Sequence, residues 1–469
     1  MGKFKQNLIY AFIAQSTSMI LSILISLILP KVLGVEEFAY WQLFIFYSGY
    51  VGILHFGLSD GLYLRYGGTD LKDMNKSLIG SQFRCMVIWQ TLIAIVALVI
   101  IPFLIVNPER MFVCILTAIY LIVANATWCL GYIFQAANET RIYSTGTIIS
   151  KVLFIFALIL SLLTRHYDFR IYVTLYVGAQ AIALIYSIIN GWDFVTAKWI
   201  SVQQILHNTL TNMKIGINLT LSNIASSLIL GICRGFVDAR WSISVFGIFS
   251  LAISLVNFIL QFITQISMVM FPSLRQLPAE KRKDIYVLLR DSIGIIFCSI
   301  MIFYVPMRTV LSWWLPEYTE SLRYLSIILP ICVFDGKMQM LYNTYMKVYR
   351  KEKSLLRINL LSCVVSLILC ILFATVNNDV IVVVAAMIIA IALRSVISSI
   401  YLSKVMGVGL EDNLVWEIAL TVSFIVFNYS FRPWVAFFAY AMAVLMVLSV
   451  KREKIREILY IVRRPVMKR

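Results

Sequence analysis

Stretches of this chain that run for more than twenty residues without a single Asp, Glu, Lys or Arg include 6–30, 38–59, 85–108, 111–138, 171–192 and 358–378. A helix needs about 20 apolar residues to cross a hydrocarbon core of about 30 Å. Each stretch is therefore long enough to span a bilayer, and six such runs exclude an ordinary soluble domain. Composition agrees. Of the 469 residues 61% are hydrophobic and 13% charged, against about 25% charged in a typical soluble protein. The fold class that follows is an all-α polytopic membrane protein. The first run is too long for a signal-peptide core, and no small-residue cleavage pattern precedes Pro30-Lys31, so it reads as a retained span.

Fourteen spans are expected, at 6–30, 38–60, 83–106, 111–136, 144–163, 171–192, 214–234, 242–272, 289–307, 321–346, 357–377, 379–403, 414–431 and 433–450. Lys and Arg cluster in cytoplasmic loops. The N-terminus, the even-numbered turns and the tail hold 29 of the 40, whereas the odd-numbered turns hold nine. Both termini are therefore expected on the cytoplasmic side. The tail KREKIREILYIVRRPVMKR adds eight basic residues. The net charge of +17 is spread over short loops, which fits topology and attraction to anionic membrane lipids better than nucleic acid. The longest loop, 193–213, is amphipathic and is expected to lie along the inner membrane surface. With no loop much longer, function must reside among the helices. The eight cysteines fall in apolar segments and the three histidines are scattered, so neither a metal site nor a disulfide framework is expected.

Polar groups in hydrocarbon face the bundle interior or a wet cavity. Span seven carries Lys214, Asn218, Ser222 and Ser226 at helical spacing. Span eight carries Asn257, Gln261 and Gln265, and span ten carries Asp335, Gln339 and Asn343. Serines at such spacing read first as helix–helix hydrogen bonds, while the amides of span eight read as a cavity lining. Charges cost more to bury. Arg84, Arg234, Lys337 and Arg394 within spans, with Arg65 and Lys214 at helix ends, give a basic excess suited to an anionic substrate. Each also has a structural reading as an anchor or as one half of an ion pair. Asp60 and Asp335 are acids near the same cavity, and His55 shares a span with Asp60. These three are candidates for carrying a proton or sodium ion, although His55 reads equally as a hydrogen-bonded core residue.

The two halves of the chain also resemble each other weakly, with Phe38-Ala39-Tyr40-Trp41 aligning with Phe246-Gly247-Ile248-Phe249. The expected organisation is a six-helix bundle at 1–192, a cytoplasmic linker at 193–213, a second six-helix bundle at 214–403, and two extra helices with a basic cytoplasmic tail at 404–469. The clip Leu33 to Phe38 (LGVEEF), the later FGLSDGL at Phe56 to Leu62, Arg65 beyond it and the start of the second half from Lys214 resemble Wzx-type polysaccharide flippases of the multidrug/oligosaccharidyl-lipid/polysaccharide (MOP) exporter superfamily. Ala39 departs from the glycine common there. The resemblance implies a bacterial plasma-membrane protein with a MATE-like fold that carries an undecaprenyl-pyrophosphate-linked oligosaccharide outward by alternating access. It has no enzymatic step and no cofactor, though an ion gradient is a candidate driving force. On that reading Arg84, Arg234, Lys337, Arg394, Lys214 and Arg65 are the candidate pyrophosphate contacts. Asn218, Ser222, Asn257, Gln261, Gln339 and Asn343 line the sugar cavity. Polysaccharide polymerase and chain-length proteins are the implied partners. The alternatives are a flippase for the peptidoglycan lipid precursor and a multidrug exporter of the same superfamily.

Overall fold

The computed structural model describes residues 2–164, 167–376, 379–411 and 413–451, and these are helical with no strand among them. The basic tail from 452 onward lies outside the described residues, as does the side chain of Gln265. The helices are α1 (Gly2–Leu27), α2 (Leu29–Ser48), α3 (Leu58–Tyr66), α4 (Lys76–Leu104), α5 (Pro108–Ala136), α6 (Thr140–Leu163), α7 (Phe169–Asn190), the single turn α8 (Trp192–Val195), α9 (Val202–Arg240), α10 (Ile243–Gln276), α11 (Ala279–Ile300), α12 (Tyr304–Trp314), α13 (Thr319–Ile328), α14 (Ile331–Lys337), α15 (Asn343–Val348), α16 (Glu352–Val376), α17 (Val380–Met406), α18 (Leu414–Ser430) and α19 (Pro433–Val450). Eleven helical segments are long and apolar enough to cross a membrane. A twelfth is the pair Pro316–Ile328 and Ile331–Val348, bent by 49°. α2, with three charges near its start, and the 17-residue α18 supply the other two of the fourteen expected segments.

Helix ends follow local chemistry. Asn75, Asn107 and Asp168 accept a hydrogen bond from the N–H of Leu78, Arg110 and Arg170 respectively, capping α4, α5 and α7. Pro330 opens α14 at the 49° bend, where its missing N–H breaks the ladder. No proline interrupts 202–240, and α9 runs unbroken for 39 residues. The expected surface linker is thus helical from Val202 and continuous with span seven.

The chain divides into two compact units. The first comprises Met1–Ser227 with Ser242–Gly247, and the second Leu228–Trp241 with the described residues from Ile248 onward. The division falls inside α9 and α10 rather than at 193–213.

In the first unit the clip after α1 takes the form its residues suggest. Gly34 has φ 72 inside α2, a left-handed conformation that tolerates no Cβ comfortably, and the chain turns there. Glu37 then accepts a 2.8 Å hydrogen bond from the N–H of Phe169, meeting one of the orphan donors at the start of α7. The aromatic run that follows is core. Trp41 is fully buried, stacked on Phe154 at 5.6 Å and edge-on to Tyr176 at 5.7 Å. The two aligned positions of the internal similarity meet: a Cβ added to Gly247 would lie 2.6 Å from that of Ala39. The glycine lost at Ala39 is therefore offset by one at its counterpart.

In the second unit α16 packs along α17, and α11 packs on α14 and α18. Phe424 of α18 meets Tyr304 of α12 and Tyr440 of α19 edge-to-face at 5.5 and 5.1 Å. The two C-terminal helices are thereby integrated into this unit's core.

Candidate functional site

Span two was expected as one helix to residue 60, but the helix stops at Ser48. A 3-10 turn over Val51–His55 follows, then Phe56 and Gly57 in left-handed conformations (φ 50 and 83), and α3 begins at Leu58. Breaking a helix inside hydrocarbon frees backbone carbonyls that must find donors in the protein. The amide of Gln90 and the indole of Trp89 donate to the Leu54 carbonyl at 2.6 and 3.1 Å, and Asn125 donates to that of Val51 at 3.0 Å. Asn125 also donates to Gln90 at 3.0 Å, which joins the two amides into one support.

The break places His55 and Asp60 together. The His55 Nδ1 accepts from the Gly57 N–H at 3.1 Å, so a neutral ring carries its proton on Nε2, which lies 3.9 Å from the Asp60 carboxylate. Asp60 sits in the first turn of α3, where the helix dipole favours negative charge, and accepts a hydrogen bond from Thr220 of α9. Both are buried. They line a cavity of about 240 Å³ with Trp128, Tyr132, Tyr143, Thr220 and Asn223. Close approach of α3 to α9 closes one side. A Cβ at Gly61 would strike the Asn212 carbonyl, and one at Gly216 would strike the Gly57 carbonyl. The FGLSDGL segment thus owes its glycines to this crossing.

Of the basic candidates of the first unit, Arg65 and Lys214 are exposed and Arg84 is not. Arg65, at the end of α3, donates to Asn208 and Asn212 of α9 at 3.3 and 3.2 Å. Lys214 and Asn218 are exposed on α9, whereas Ser222 is buried. Arg84 is half-buried with its guanidinium 4.1 Å from the centre of the Trp199 ring. That contact is worth about 0.5–2 kcal/mol and fixes the arginine against the 196–201 connection.

In the second unit the candidate charges resolve into pairs. Arg394 donates to Asp335, which also accepts from Gln339 at 2.6 Å, and Gln339 in turn accepts from Thr264 at 2.5 Å. Lys337 is held by Glu411 and, at 2.8 Å, by Glu417. The sequence offered Lys337 and Arg394 as pyrophosphate contacts or as halves of ion pairs, and Asp335 as an ion carrier or a counter-ion to a base. The structure buries all three in ion pairs, because an isolated charge there would be far more costly than a paired one. Arg234 is buried and donates to Ser250 at 3.1 Å. Asn257 is exposed, while Gln261 and Asn343 are half-buried. A π-helical turn over Met338–Tyr342 follows Lys337 directly, the kind of irregularity found where a helix carries a site.

Sequence reading missed Thr220, Gln90, Asn125, Glu411 and Glu417. Glu417 left a signal, an acid one turn inside an expected span. Thr220 left none, since a single threonine on α9 is unremarkable until Asp60 is placed against it.

Solved structures share this fold. The lipid II flippase MurJ in an inward closed conformation has a TM-score of 0.68 at 14% identity, covering 95% of this chain and 100% of that one. An inward-facing multidrug resistance MATE family transporter of the MOP superfamily has a TM-score of 0.64 at 10% identity, covering 87% and 95%. A MOP superfamily transporter from Pyrococcus furiosus has a TM-score of 0.51 at 11% identity, covering 90% and 96%. No curated protein matches the sequence significantly. The sequence profile of polysaccharide biosynthesis proteins matches residues 4–277, more than half of the chain. That match takes in the clip, the FGLSDGL segment and the α9 residues packed on it, and with it the chain belongs to the polysaccharide biosynthesis protein family.

Proposed function

We propose that this protein is a flippase that carries undecaprenyl-pyrophosphate-linked oligosaccharide units from the cytoplasmic to the outer leaflet of a bacterial plasma membrane, for surface polysaccharide synthesis. One observation carries the reading. Its buried polar groups belong to helical bundles, and no connection between described helices exceeds nine residues. Such an architecture moves a substrate across the membrane rather than housing soluble chemistry, and the family supplies the substrate class. Arg65 and Lys214 remain exposed to meet a diphosphate, for which charge-assisted donors are the strongest ligands. Asn218, also exposed on α9, is the side chain we assign to sugar hydroxyls. Asp60, with His55 and Thr220 against it, is the group we assign to exchange of a proton or sodium ion. Both termini are placed in the cytoplasm on the distribution of Lys and Arg.

The test is complementation of bacteria that lack their own polysaccharide-unit flippase. Wild type is expected to restore surface polymer and clear lipid-linked units from the cytoplasmic face. The double variant R65A/K214A is expected to be made and inserted normally but not to do so. Failure to rescue with the cognate sugar unit, or rescue instead of a strain lacking its peptidoglycan-precursor flippase, overturns the substrate assignment.

A further inference from the structure

In the second unit one ammonium meets two carboxylates in a buried site. Lys337, at the end of α14, donates to Glu417 of α18 at 2.8 and 3.0 Å and also to Glu411. The three side chains are 1%, 0% and 2% exposed respectively for Lys337, Glu417 and Glu411. Glu411 also accepts from Ser399 at 2.8 Å and from the Tyr342 hydroxyl at 3.3 Å. The pocket is built to hold these groups. A Cβ on Gly294 of α11 would occupy the space of the Glu417 carboxylate.

Glu411 belongs to the connection 407–413 between α17 and α18, and Arg290 of α11 fastens that connection. Its guanidinium donates to the carbonyls of Gly409 and Leu410 at 2.7 and 3.2 Å, to Ser403 at 3.0 Å and to Asp291 at 2.9 Å. Asn413 donates to the Asp291 carbonyl at 2.6 Å. Gly409 and Leu410 themselves are exposed on the outer side of the loop.

Among the described residues, the other titratable or charged groups around the trio are Tyr286, Arg290, Asp291 and Cys298 on α11, Tyr342 after α14, and Tyr440 on α19, whose hydroxyl donates to the Cys298 carbonyl at 2.8 Å. Asp335 and Arg394 are engaged with each other. Arg290 is engaged with Asp291 and the loop carbonyls, so Lys337 is the cation hydrogen-bonded to both Glu411 and Glu417. With both carboxylates ionised the trio carries one excess negative charge. A buried excess charge is relieved by taking up a proton, and two carboxylates sharing a site titrate as one unit. A metal ion is disfavoured because the ammonium already occupies the place between the two acids.

We propose that Glu411 and Glu417 form a single-proton site on Lys337, and that release of this proton to water at the 409–410 surface loosens the loop carrying Glu411. This rests on the transporter reading only in assigning the proton to the transport cycle. The site is separate from Asp60, which lies in the other unit.

The test is infrared difference spectroscopy of the purified full-length protein between mildly acidic and mildly alkaline pH. Wild type is expected to lose a buried carboxylic-acid band as pH rises. E411Q and E417Q are each expected to lack that band at both pH values, because the remaining carboxylate is then balanced by Lys337. K337M is expected to show a larger band, since both acids then take a proton. The same band in wild type and both glutamine variants, or no titrating band in wild type, overturns the proposal. The two glutamine variants are read separately, so one that fails to fold leaves the other. If the spectra behave as expected while wild type fails every complementation, the proton site stands and the transport reading falls.

Discussion

Gly61 has no room for a methyl group, because the backbone of Asn212 lies where it would go. Overpacking of this kind costs about 1–3 kcal/mol. G61A should therefore lower the melting temperature of the detergent-purified protein, whereas G178A, with nothing near its added methyl, should not. A second prediction concerns Arg394 and Asp335. Removing one partner of a buried ion pair costs about 3–5 kcal/mol, while replacing both by apolar residues costs much less. R394L and D335L should each destabilise more than the double variant does, as read in a double-mutant cycle of unfolding. At this scale the sequence was informative about which residues matter and poor about whom they meet. Asp335 and Arg394 were both candidates, yet they are 59 positions apart and only the packing of α14 on α17 joins them. The turn at Gly34, by contrast, is local, a positive φ between two helical pieces.

Helices were visible wherever apolar length alone decides them, as in α4, α5 and α16. The break between α2 and α3 was not. Residues 38–60 contain no proline or charge before Asp60, and the local trace of the break is three glycines, Gly49, Gly52 and Gly57, which also occur inside membrane helices. Tertiary contacts then hold the break: Gln90 and Asn125, from α4 and α5, bind the freed carbonyls of Leu54 and Val51. N125L should leave such a carbonyl buried without its donor, at about 1–3 kcal/mol. Because the break positions His55 and Asp60, the same variant should lower polymer export in the complementation assay. N190L, which removes an exposed amide bonded within its own helix, should change stability by no more than about 0.5 kcal/mol. Continuity was the opposite surprise. The 193–213 stretch reads as a surface segment because its residues are mixed, but from Val202 onward, without a breaker, it joins α9.

For the whole molecule, fourteen helical segments with an even count predict that reporters fused at either end are active in the cytoplasm. One end active outside would remove one span from the count. The sugar carried is not written in the fold, since the lipid II flippase shares that fold at 14% identity. The central claim is movement of a lipid-linked oligosaccharide between leaflets, and the direct measurement is made in proteoliposomes holding the purified protein. Undecaprenyl-pyrophosphate-linked units are placed in the inner leaflet, and their exposure to a membrane-impermeant sugar oxidant outside is followed over time. The account predicts that exposure rises with wild type and stays at the protein-free level with R65A/K214A. Equal exposure with and without the wild-type protein would contradict it.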